Sequence, residues 1–136
     1  LAEQRARELQ QLQAAAAQRE LLAARHSFLY EDVYFRFNRA DLRPEAQDVI
    51  SRKYLWLSDN PEVKVVVEGH CDERGSNAFN MFLGEQRAGN VKTYLIGLGI
   101  DPGRIVALSY GEELPVDPGH NEEAWAKNRR AHFVIK

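Results

Sequence analysis

A strand pattern that runs directly into a long helix pattern is the feature that most constrains how this chain can fold. Valines occupy every second position from Val63 to Val67 and the run ends at Gly69, which is typical of a buried strand. Apolar residues at helical spacing then continue from about Asn77 to Leu98. Gly84, inside this helix, indicates a close neighbour. A strand followed by such a helix predicts helices layered on a sheet.

The same two patterns recur along the rest of the chain. Further predicted elements are a strand over residues 33–37, a helix over 44–57, a strand over 104–110 and a strand over 131–135. Two consecutive strand–helix–strand units imply right-handed crossovers, and the last two strands make the sheet mixed. The predicted fold class is α+β, an α/β sandwich with the order βαβαββ and a four-stranded sheet. The polar stretch 111–128 is either functional or helical around 122–127.

The first 29 residues form a separate compositional unit. They are rich in Ala, Gln, Glu, Arg and Leu and contain no Gly or Pro, which predicts one helix. The narrow apolar seam of this helix covers only about two heptads, fewer than a sustained coiled coil requires. Residues 1–29 are therefore predicted to be a helical spacer or a helix packed on its own domain, and residues 30–136 to be the globular domain.

Charge and hydropathy exclude several classes of function. The 18 basic and 20 acidic residues are interspersed and give a net charge of -2, without the basic footprint of a nucleic-acid-binding protein. No apolar run is long enough to span a bilayer. No signal peptide is visible at Leu1, so any targeting segment or lipid anchor is expected to lie outside this fragment.

Catalytic and metal-binding motifs are missing from the sequence. No nucleophile elbow, zinc-protease helix or phosphate loop occurs. The four histidines, His26, His70, His120 and His132, form no pair at helical metal spacing. Cys71 is the only cysteine, which excludes an intrachain disulfide. We therefore predict no enzyme activity, no metal site and no cofactor.

The loop that follows the valine strand is the first candidate for a binding site. Residues 69–75 place two glycines and several ionisable side chains beyond the carboxyl end of the strand, where ligands collect in layered folds. A tight solvated turn is the alternative explanation. A further alternative is a glycoside hydrolase that uses carboxylates among Glu68, Asp72 and Glu73.

Arg87 is the second candidate, because the predicted long helix places it in line with Leu83 and Val91 on the buried stripe. A buried guanidinium needs a carboxylate or a cluster of acceptors. The partner is Asp72, another carboxylate of the chain or a ligand carboxylate, and a purely structural link between helix and loop is an equal alternative. Asp72 and Arg87 together suit a zwitterionic ligand, with Asn80 as a bridge.

Two long ungapped segments resemble the OmpA-like family and, within it, the peptidoglycan-associated lipoproteins. The segments are Val66–Gly75 and Gly111–Phe133, and the long helix adds the looser family pattern of Asn80, Leu83, Gly84, Arg87, Ala88, Val91 and Leu95. The resemblance covers residues 33–136 and implies a mixed four-stranded sheet with helices packed on one face. It also implies non-covalent binding of peptidoglycan through the meso-diaminopimelate of the stem peptide.

By position, the resemblance implies a role for each residue of the candidate site. Asp72 matches the residue that receives the diaminopimelate ammonium, and Arg87 matches the carboxylate clamp. The predicted ligand-binding set is Asp72, Arg87, Asn80, Asn38, Leu83, Phe37 and Cys71.

The resemblance further implies a place in the cell envelope. Family lipoproteins sit on the periplasmic face of the outer membrane through an N-terminal lipid anchor and tether that membrane to the cell wall. They also dock the TolB-like propeller protein and other proteins of the Tol system. The alternative function is a protein-interaction scaffold, in which residues 1–29 and 111–128 recruit such partners and wall binding is secondary.

Overall fold

The chain folds into four α-helices and four β-strands, and the computed structural model describes all 136 residues. The elements in chain order are α1 (Ala2–Tyr30), β1 (Val33–Tyr34), α2 (Pro44–Asp59), β2 (Val65–His70), α3 (Asn77–Leu98), a 3₁₀ turn (Pro102–Arg104), β3 (Ile105–Gly111), α4 (Glu122–Asn128) and β4 (Arg130–Ile135). The predicted order of strands and helices after an N-terminal helix is confirmed. The polar stretch 111–128 contains the short helix α4.

The four strands form one mixed sheet in the order β1-β4-β2-β3. β4 lies between β1 and β2 and is antiparallel to both, whereas β2 and β3 are parallel neighbours. The last strand of the chain is therefore inserted into the middle of the sheet. The prediction of a mixed four-stranded sheet is confirmed.

Helices cover one face of this sheet and leave the other face open. Val67 of β2 and Phe133 of β4 are register partners that point into the covered face, where both are fully buried. They belong to one apolar cluster with Val91 and Leu95 of α3. On the open face, Val134 of β4 is 37% exposed. The arrangement is the α+β fold with helices packed on one face.

The bounds of α3 match the prediction because both ends carry strong local signals. The hydroxyl oxygen of Ser76 accepts a hydrogen bond from the backbone N–H of Phe79 at 3.1 Å and caps the first turn. Gly99 follows the last turn with a φ of 117°, a left-handed conformation that glycine adopts without strain.

α3 lies very close to β2 and β3 at a contact between two glycines. A Cβ built on Gly69 would lie 1.8 Å from the carbonyl oxygen of Gly84, and a Cβ on Gly84 would lie 2.1 Å from the hydroxyl oxygen of Ser109. Both positions therefore require glycine, and the close neighbour of Gly84 that the sequence indicated is present. Arg87 lies about one turn further along α3, so this contact sets its distance from the sheet.

The first strand is shorter than predicted. Only Val33–Tyr34 pairs with β4. Beyond it the chain turns at Asn38, whose φ is 56°, and Phe37 is 45% exposed instead of facing the core. The predicted strand over 33–37 is wrong in its second half, because Arg87 binds backbone carbonyls of this turn and directs them to α3.

α1 packs on the domain with its last turn. Phe28 is 3% exposed, its ring stacks on Trp56 of α2 at a centroid distance of 4.2 Å, and it meets the ring of Phe133 edge-on at 5.4 Å. The preceding turns are almost entirely exposed, including most of the apolar seam. α1 is therefore an extended helix anchored at its C-terminal end, and its role as a spacer stays a prediction. None of the four helices combines the length and the apolar character that a bilayer crossing requires.

A buried lysine at the junction of α1 and α2 was not predicted. Lys53 is 1% exposed, its Nζ donates to the backbone carbonyl of Phe28, and Nζ lies 4.8 Å from the ring centroid of Phe133. The carbonyl belongs to the last turn of α1, so Lys53 caps that helix. Burial lowers the pKa of Lys53 to about 8.

We expect the Lys53→Met variant to lose a pH dependence of stability that the parent chain shows. The pKa of Lys53 is about 8 in the folded chain and about 10.4 in the unfolded chain, so the unfolded state binds more protons between these values and stability rises with pH. Between roughly pH 7.5 and 9.5, this effect adds about 2 kcal/mol to the free energy of unfolding. Denaturant unfolding of both chains at several pH values measures the difference. If the free energy of unfolding changed with pH equally in both chains, Lys53 would not be buried in the folded chain.

Candidate ligand-binding site

The loop between β2 and α3, the turn after β1 and one face of α3 enclose a narrow, tightly closed recess that leaves no water-sized space. Eight residues line it: Phe37, Asn38, Cys71, Asp72, Arg74, Asn80, Leu83 and Arg87. The structure thus brings together all seven residues of the predicted set, from three separate segments, and adds Arg74. The role of these residues in binding a ligand stays a prediction.

Arg87 lines this recess from α3 and is 1% exposed. Its guanidinium donates to three backbone carbonyls: Nε to Arg39 at 2.9 Å, Nη1 to His70 at 2.9 Å and Nη2 to Arg36 at 3.1 Å. These carbonyls belong to the turn after β1 and to the end of β2. Arg87 therefore holds two walls of the recess together, which is one of the two roles that the sequence left open.

The positive charge of Arg87 has no anionic partner within the chain. The carboxylate Asp72, which was one predicted partner, forms its ion pairs with other arginines instead. Three of the five N–H groups of Arg87 donate to backbone carbonyls, and the guanidinium also contacts the thiol of Cys71. Burial lowers the pKa of the Arg87 guanidinium. A ligand carboxylate in the recess would stabilise this buried charge.

Asp72 is 4% exposed and is held by two guanidinium groups. Its Oδ1 accepts the backbone N–H of Arg74 at 3.0 Å, and its Oδ2 accepts Nη2 of the same residue at 2.9 Å. The Nη1 of Arg129 lies 3.6 Å from Oδ2 and is buried without a hydrogen-bond acceptor. Asp72 is thus a buried carboxylate whose position is fixed by the loop backbone.

Sequence reasoning missed Arg74, which covers Asp72. The guanidinium carbon of Arg74 lies 3.7 Å from the ring centroid of Phe37 and 4.2 Å from that of Trp125, so cation–π contacts hold it on two sides. Its side chain is 30% exposed, which places it at the solvent side of the recess. The available signal was its position two residues after Asp72, the spacing of an Asx turn.

Asn80 fixes the loop and does not bridge Asp72 to Arg87. It is 1% exposed, and its Nδ2 lies 3.3 Å from the backbone carbonyl oxygen of Asp72, 3.0 Å from that of Arg74 and 3.1 Å from Oε1 of Glu112. The predicted bridge between the two charged side chains is therefore absent, because the amide donates to the loop backbone and to Glu112. Asn80 stabilises the conformation that presents the carboxylate of Asp72.

The other lining residues supply walls and no reactive group. Cys71 is 4% exposed, and its Sγ donates to the backbone carbonyl of Asn80 at 3.3 Å. Burial raises the pKa of the Cys71 thiol to about 11, so the thiol is protonated and unreactive at neutral pH. Leu83, 7% exposed, adds an apolar wall, while Phe37 and Asn38 lie exposed at the mouth. No three metal-ligating side chains are grouped anywhere in the structure.

The largest cavity of the molecule lies outside this site. It measures about 590 Å³ and lies between the turn after β1, α2 and α4. Five of its eleven lining residues are hydrophobic and the others are charged, with both signs present, as in Arg43 and Glu45. We place the candidate site in the smaller recess, because only there do two buried charged side chains and several polar groups converge.

Comparisons with known proteins match most of the globular part of the chain. Residues 34–129 match the model of the OmpA family. The peptidoglycan-associated lipoprotein of Haemophilus influenzae is 45% identical over 102 residues, which are 75% of this chain and 67% of that protein. The lipoprotein of the same name from Pseudomonas aeruginosa is 44% identical over 100 residues, 74% of this chain and 59% of that protein. The chain thus spans less than two thirds of the Pseudomonas relative.

Solved structures share the same fold. The crystal structure of the peptidoglycan-associated lipoprotein from Burkholderia pseudomallei has a TM-score of 0.74 and 35% sequence identity, and the match covers 77% of this chain and 89% of that one. The C-terminal domain of Helicobacter pylori MotB has a TM-score of 0.73 at 22% identity, with coverage of 77% and 83%. The second likeness concerns the fold alone.

The mixed sheet covered by helices on one face, together with the match over residues 34–129, defines the class: the chain belongs to the OmpA family. Within that family, the Haemophilus, Pseudomonas and Burkholderia relatives described above are peptidoglycan-associated lipoproteins, and their name denotes no enzyme. α1 lies before the residues that match the family.

Proposed function

We propose that this chain binds peptidoglycan non-covalently by gripping one amino-acid terminus of meso-diaminopimelate in the stem peptide. The observation that carries the proposal is the recess shared by Arg87, a buried guanidinium without an anionic partner, and Asp72, a buried carboxylate. Such a pair is complementary to a carboxylate and an ammonium on one carbon atom. The names of the relatives, which associate those proteins with peptidoglycan, support the same ligand.

The recess closes tightly around these side chains and leaves no water-sized space. A ligand group therefore needs Arg74 to move aside before it enters. The group that would enter is small, since the free terminus of diaminopimelate consists of the nitrogen, the α-carbon and the three atoms of the carboxylate. We propose that this terminus enters the recess and the glycan stays outside.

The N–H groups of Arg87 that donate to no backbone carbonyl would bind the ligand carboxylate. The ammonium would bind Asp72, whose outer side is covered by Arg74. Because the side chain of Arg74 is partly exposed and is held by aromatic rings, it can move towards water without leaving a buried charge unpaired. When the ligand enters, its ammonium would therefore replace the guanidinium of Arg74 at the carboxylate of Asp72.

This geometry predicts discrimination between two common kinds of stem peptide. Lysine in the place of diaminopimelate keeps the terminal ammonium and lacks the terminal carboxylate. A lysine-type peptide would leave Arg87 buried without an anion. Sites that are built to hydrogen-bond a group reject analogues without it strongly, because their own buried polar groups then stay unpaired.

Isothermal titration of the chain with a diaminopimelate muropeptide and with its lysine analogue tests the proposal. We expect binding of the diaminopimelate form to be tighter by about 100-fold or more. Equal affinities for the two peptides would exclude the clamp by Arg87. No binding of either peptide would remove the wall-binding function and favour the protein-interaction scaffold, for which the exposed apolar residues of α1, such as Leu12 and Leu21, are the supporting observation.

We further propose the setting of this function in the cell. A chain that binds the wall at one end and continues into the outer membrane through an N-terminal lipid anchor would tether the two layers from the periplasmic face. The exposed helix α1 suits the spacer in such a tether. The relatives' name, which denotes a lipoprotein associated with peptidoglycan, supports the lipid anchor and the wall contact. Partners of the Tol system, including a TolB-like propeller protein, belong to the same proposal.

A further inference from the structure

Three of the six phenylalanines of the chain belong to the apolar core, and the other three lie at the surface beside the recess. The exposed ones are Phe37, Phe79 and Phe82, which are 45%, 44% and 57% exposed. Phe37 lines the recess itself, while Phe79 and Phe82 flank Asn80 and Leu83 of α3, which also line it. Exposed apolar groups that gather beside a binding site mark a contact surface.

Phe79, Phe82 and Gln86 form an aromatic stripe along α3, because a spacing of three and four residues places them on one face of the helix. All three side chains are exposed. Each directly precedes one of the three residues by which α3 lines the recess, which are Asn80, Leu83 and Arg87. Neighbouring positions lie about 100° apart around a helix, so the aromatic stripe runs along the rim of the recess.

The packing of the domain does not account for this stripe. Phenylalanine is among the residues that folding most often buries, yet neither Phe79 nor Phe82 belongs to the apolar core. The amide of Gln86 is likewise exposed, so its donor and acceptor groups are open to a ligand. Two neighbouring rings at the surface leave apolar area in water, and a ligand that covers them removes it.

The aromatic stripe is uncharged and combines phenyl rings with an amide. Phe37 and Asn38, exposed at the mouth of the recess, repeat this combination on the turn after β1. One face of a sugar ring consists of C–H groups that pack on an aromatic ring, and its hydroxyl and acetamido groups form hydrogen bonds with amides. The chemistry of this surface therefore suits a neutral sugar.

We propose that the aromatic stripe binds the N-acetylated sugars of the glycan strand to which the stem peptide is attached. This inference rests on the proposed function, in which the end of diaminopimelate enters the recess and the glycan stays outside. Diaminopimelate is the third residue of the stem, so roughly 10 Å of peptide separates it from the sugar that carries the stem. That sugar is uncharged, because its carboxyl group forms the amide bond to the peptide.

The size of the aromatic stripe favours a sugar over a protein as its occupant. A stable protein interface takes roughly 800 Å² from each partner, far more than two phenyl rings and one amide provide. The Cα atoms of Phe79 and Phe82 lie about 4.5 Å apart along the helix axis, so one or two sugar rings cover both side chains. Peptide and glycan would thus contact neighbouring faces of the same helix.

Titration of the full chain with a diaminopimelate tripeptide that carries its disaccharide, and with the same tripeptide without sugars, tests the proposal. We expect the sugars to tighten binding to the parent chain by about 5- to 10-fold, since each stacked ring adds a weak contact. In Phe82→Ala this gain should disappear while the affinity for the sugar-free tripeptide stays parental. Phe82→Tyr keeps a ring and should keep the gain. So should the matched control Leu55→Ala, which removes a similarly exposed side chain from α2, 60% against 57%.

Equal affinities of the parent chain for the two tripeptides overturn the proposal. A gain that persists in Phe82→Ala also overturns it, because the sugars then bind elsewhere and the stripe is left to a protein partner. If the chain binds neither tripeptide, the recess fails as a binding site, and NMR titration with a peptide-free tetrasaccharide of N-acetylglucosamine tests the stripe by itself. Chemical-shift changes at Phe79, Phe82 and Gln86 that are lost in Phe82→Ala support the glycan contact even then, and unchanged shifts at these residues reject it.

Discussion

Replacement of Gly69 by alanine is expected to lower the free energy of unfolding by about 3 kcal/mol or more. The new Cβ would lie 1.8 Å from the carbonyl oxygen and 2.6 Å from the carbonyl carbon of Gly84. These atoms are backbone in the middle of α3, so no side chain can rotate away and the helix has to move off the sheet. Arg87 and Asn80 lie on the same helix, so the recess is expected to distort as well.

The matched substitution is Gly89→Ala, which adds the same methyl group to α3. A Cβ at Gly89 meets no atom within 4 Å, so alanine is expected to raise the free energy of unfolding by roughly 0.5 to 1 kcal/mol through helix propensity. Denaturant unfolding of both variants and the parent measures the two effects. If Gly69→Ala were as stable as the parent, α3 and β2 would not pack at this contact.

Local patterns were sufficient to predict the elements of the fold. The bounds of α3 follow from its apolar spacing and from Ser76 and Gly99 at its ends, all of which are local signals. The insertion of β4 between β1 and β2 is different, because strand order depends on pairing between distant segments. Nothing within residues 130–135 specifies those neighbours. The general class of mixed sheet was therefore predictable, and the order of its strands was not.

The site was predictable in its membership and not in its contacts. Arg87 was singled out because a guanidinium on a buried stripe needs acceptors. Its acceptors are backbone carbonyls of Arg36, Arg39 and His70, and a carbonyl leaves no trace in the sequence because every residue has one. Sequence reasoning considers side-chain partners first and so favoured carboxylates. The early end of β1 was not predicted for the same reason, because it depends on backbone carbonyls that Arg87 binds.

Lys53 shows a second limit of predicting buried residues from helical periodicity. Lys53 lies on the buried stripe of α2. Because lysine is rarely buried, the sequence pattern did not predict that its side chain would be. The side chain is accommodated because α1, a segment outside the globular part, brings a free carbonyl and two aromatic rings to it. The sequence pattern of α2 alone does not predict this contact, because its acceptor and rings come from other segments that pack against α2.

The isosteric change Asp72→Asn is expected to weaken binding of a diaminopimelate muropeptide by about 30- to 1000-fold, or about 2 to 4 kcal/mol. It removes the charge that would hold the ligand ammonium and keeps the shape of the side chain. The amide oxygen can still accept the backbone N–H of Arg74, so the loop should persist and the free energy of unfolding should fall by only about 1 to 2 kcal/mol. A change at Arg87 is a poorer test, because it also removes three hydrogen bonds between walls of the recess.

The matched control for this loss of binding is Asp101→Asn. Oδ1 of Asp101 accepts the backbone N–H of Gly103 at 2.7 Å, the same i to i+2 contact that Asp72 makes, at the opposite end of β3 from the recess. The charge change is identical, so a general electrostatic effect on a ligand would appear in both variants. We expect titration to show parental affinity for Asp101→Asn and a large loss for Asp72→Asn. Parental affinity in both variants would mean that the ammonium binds elsewhere, and the recess would no longer explain recognition of the stem peptide.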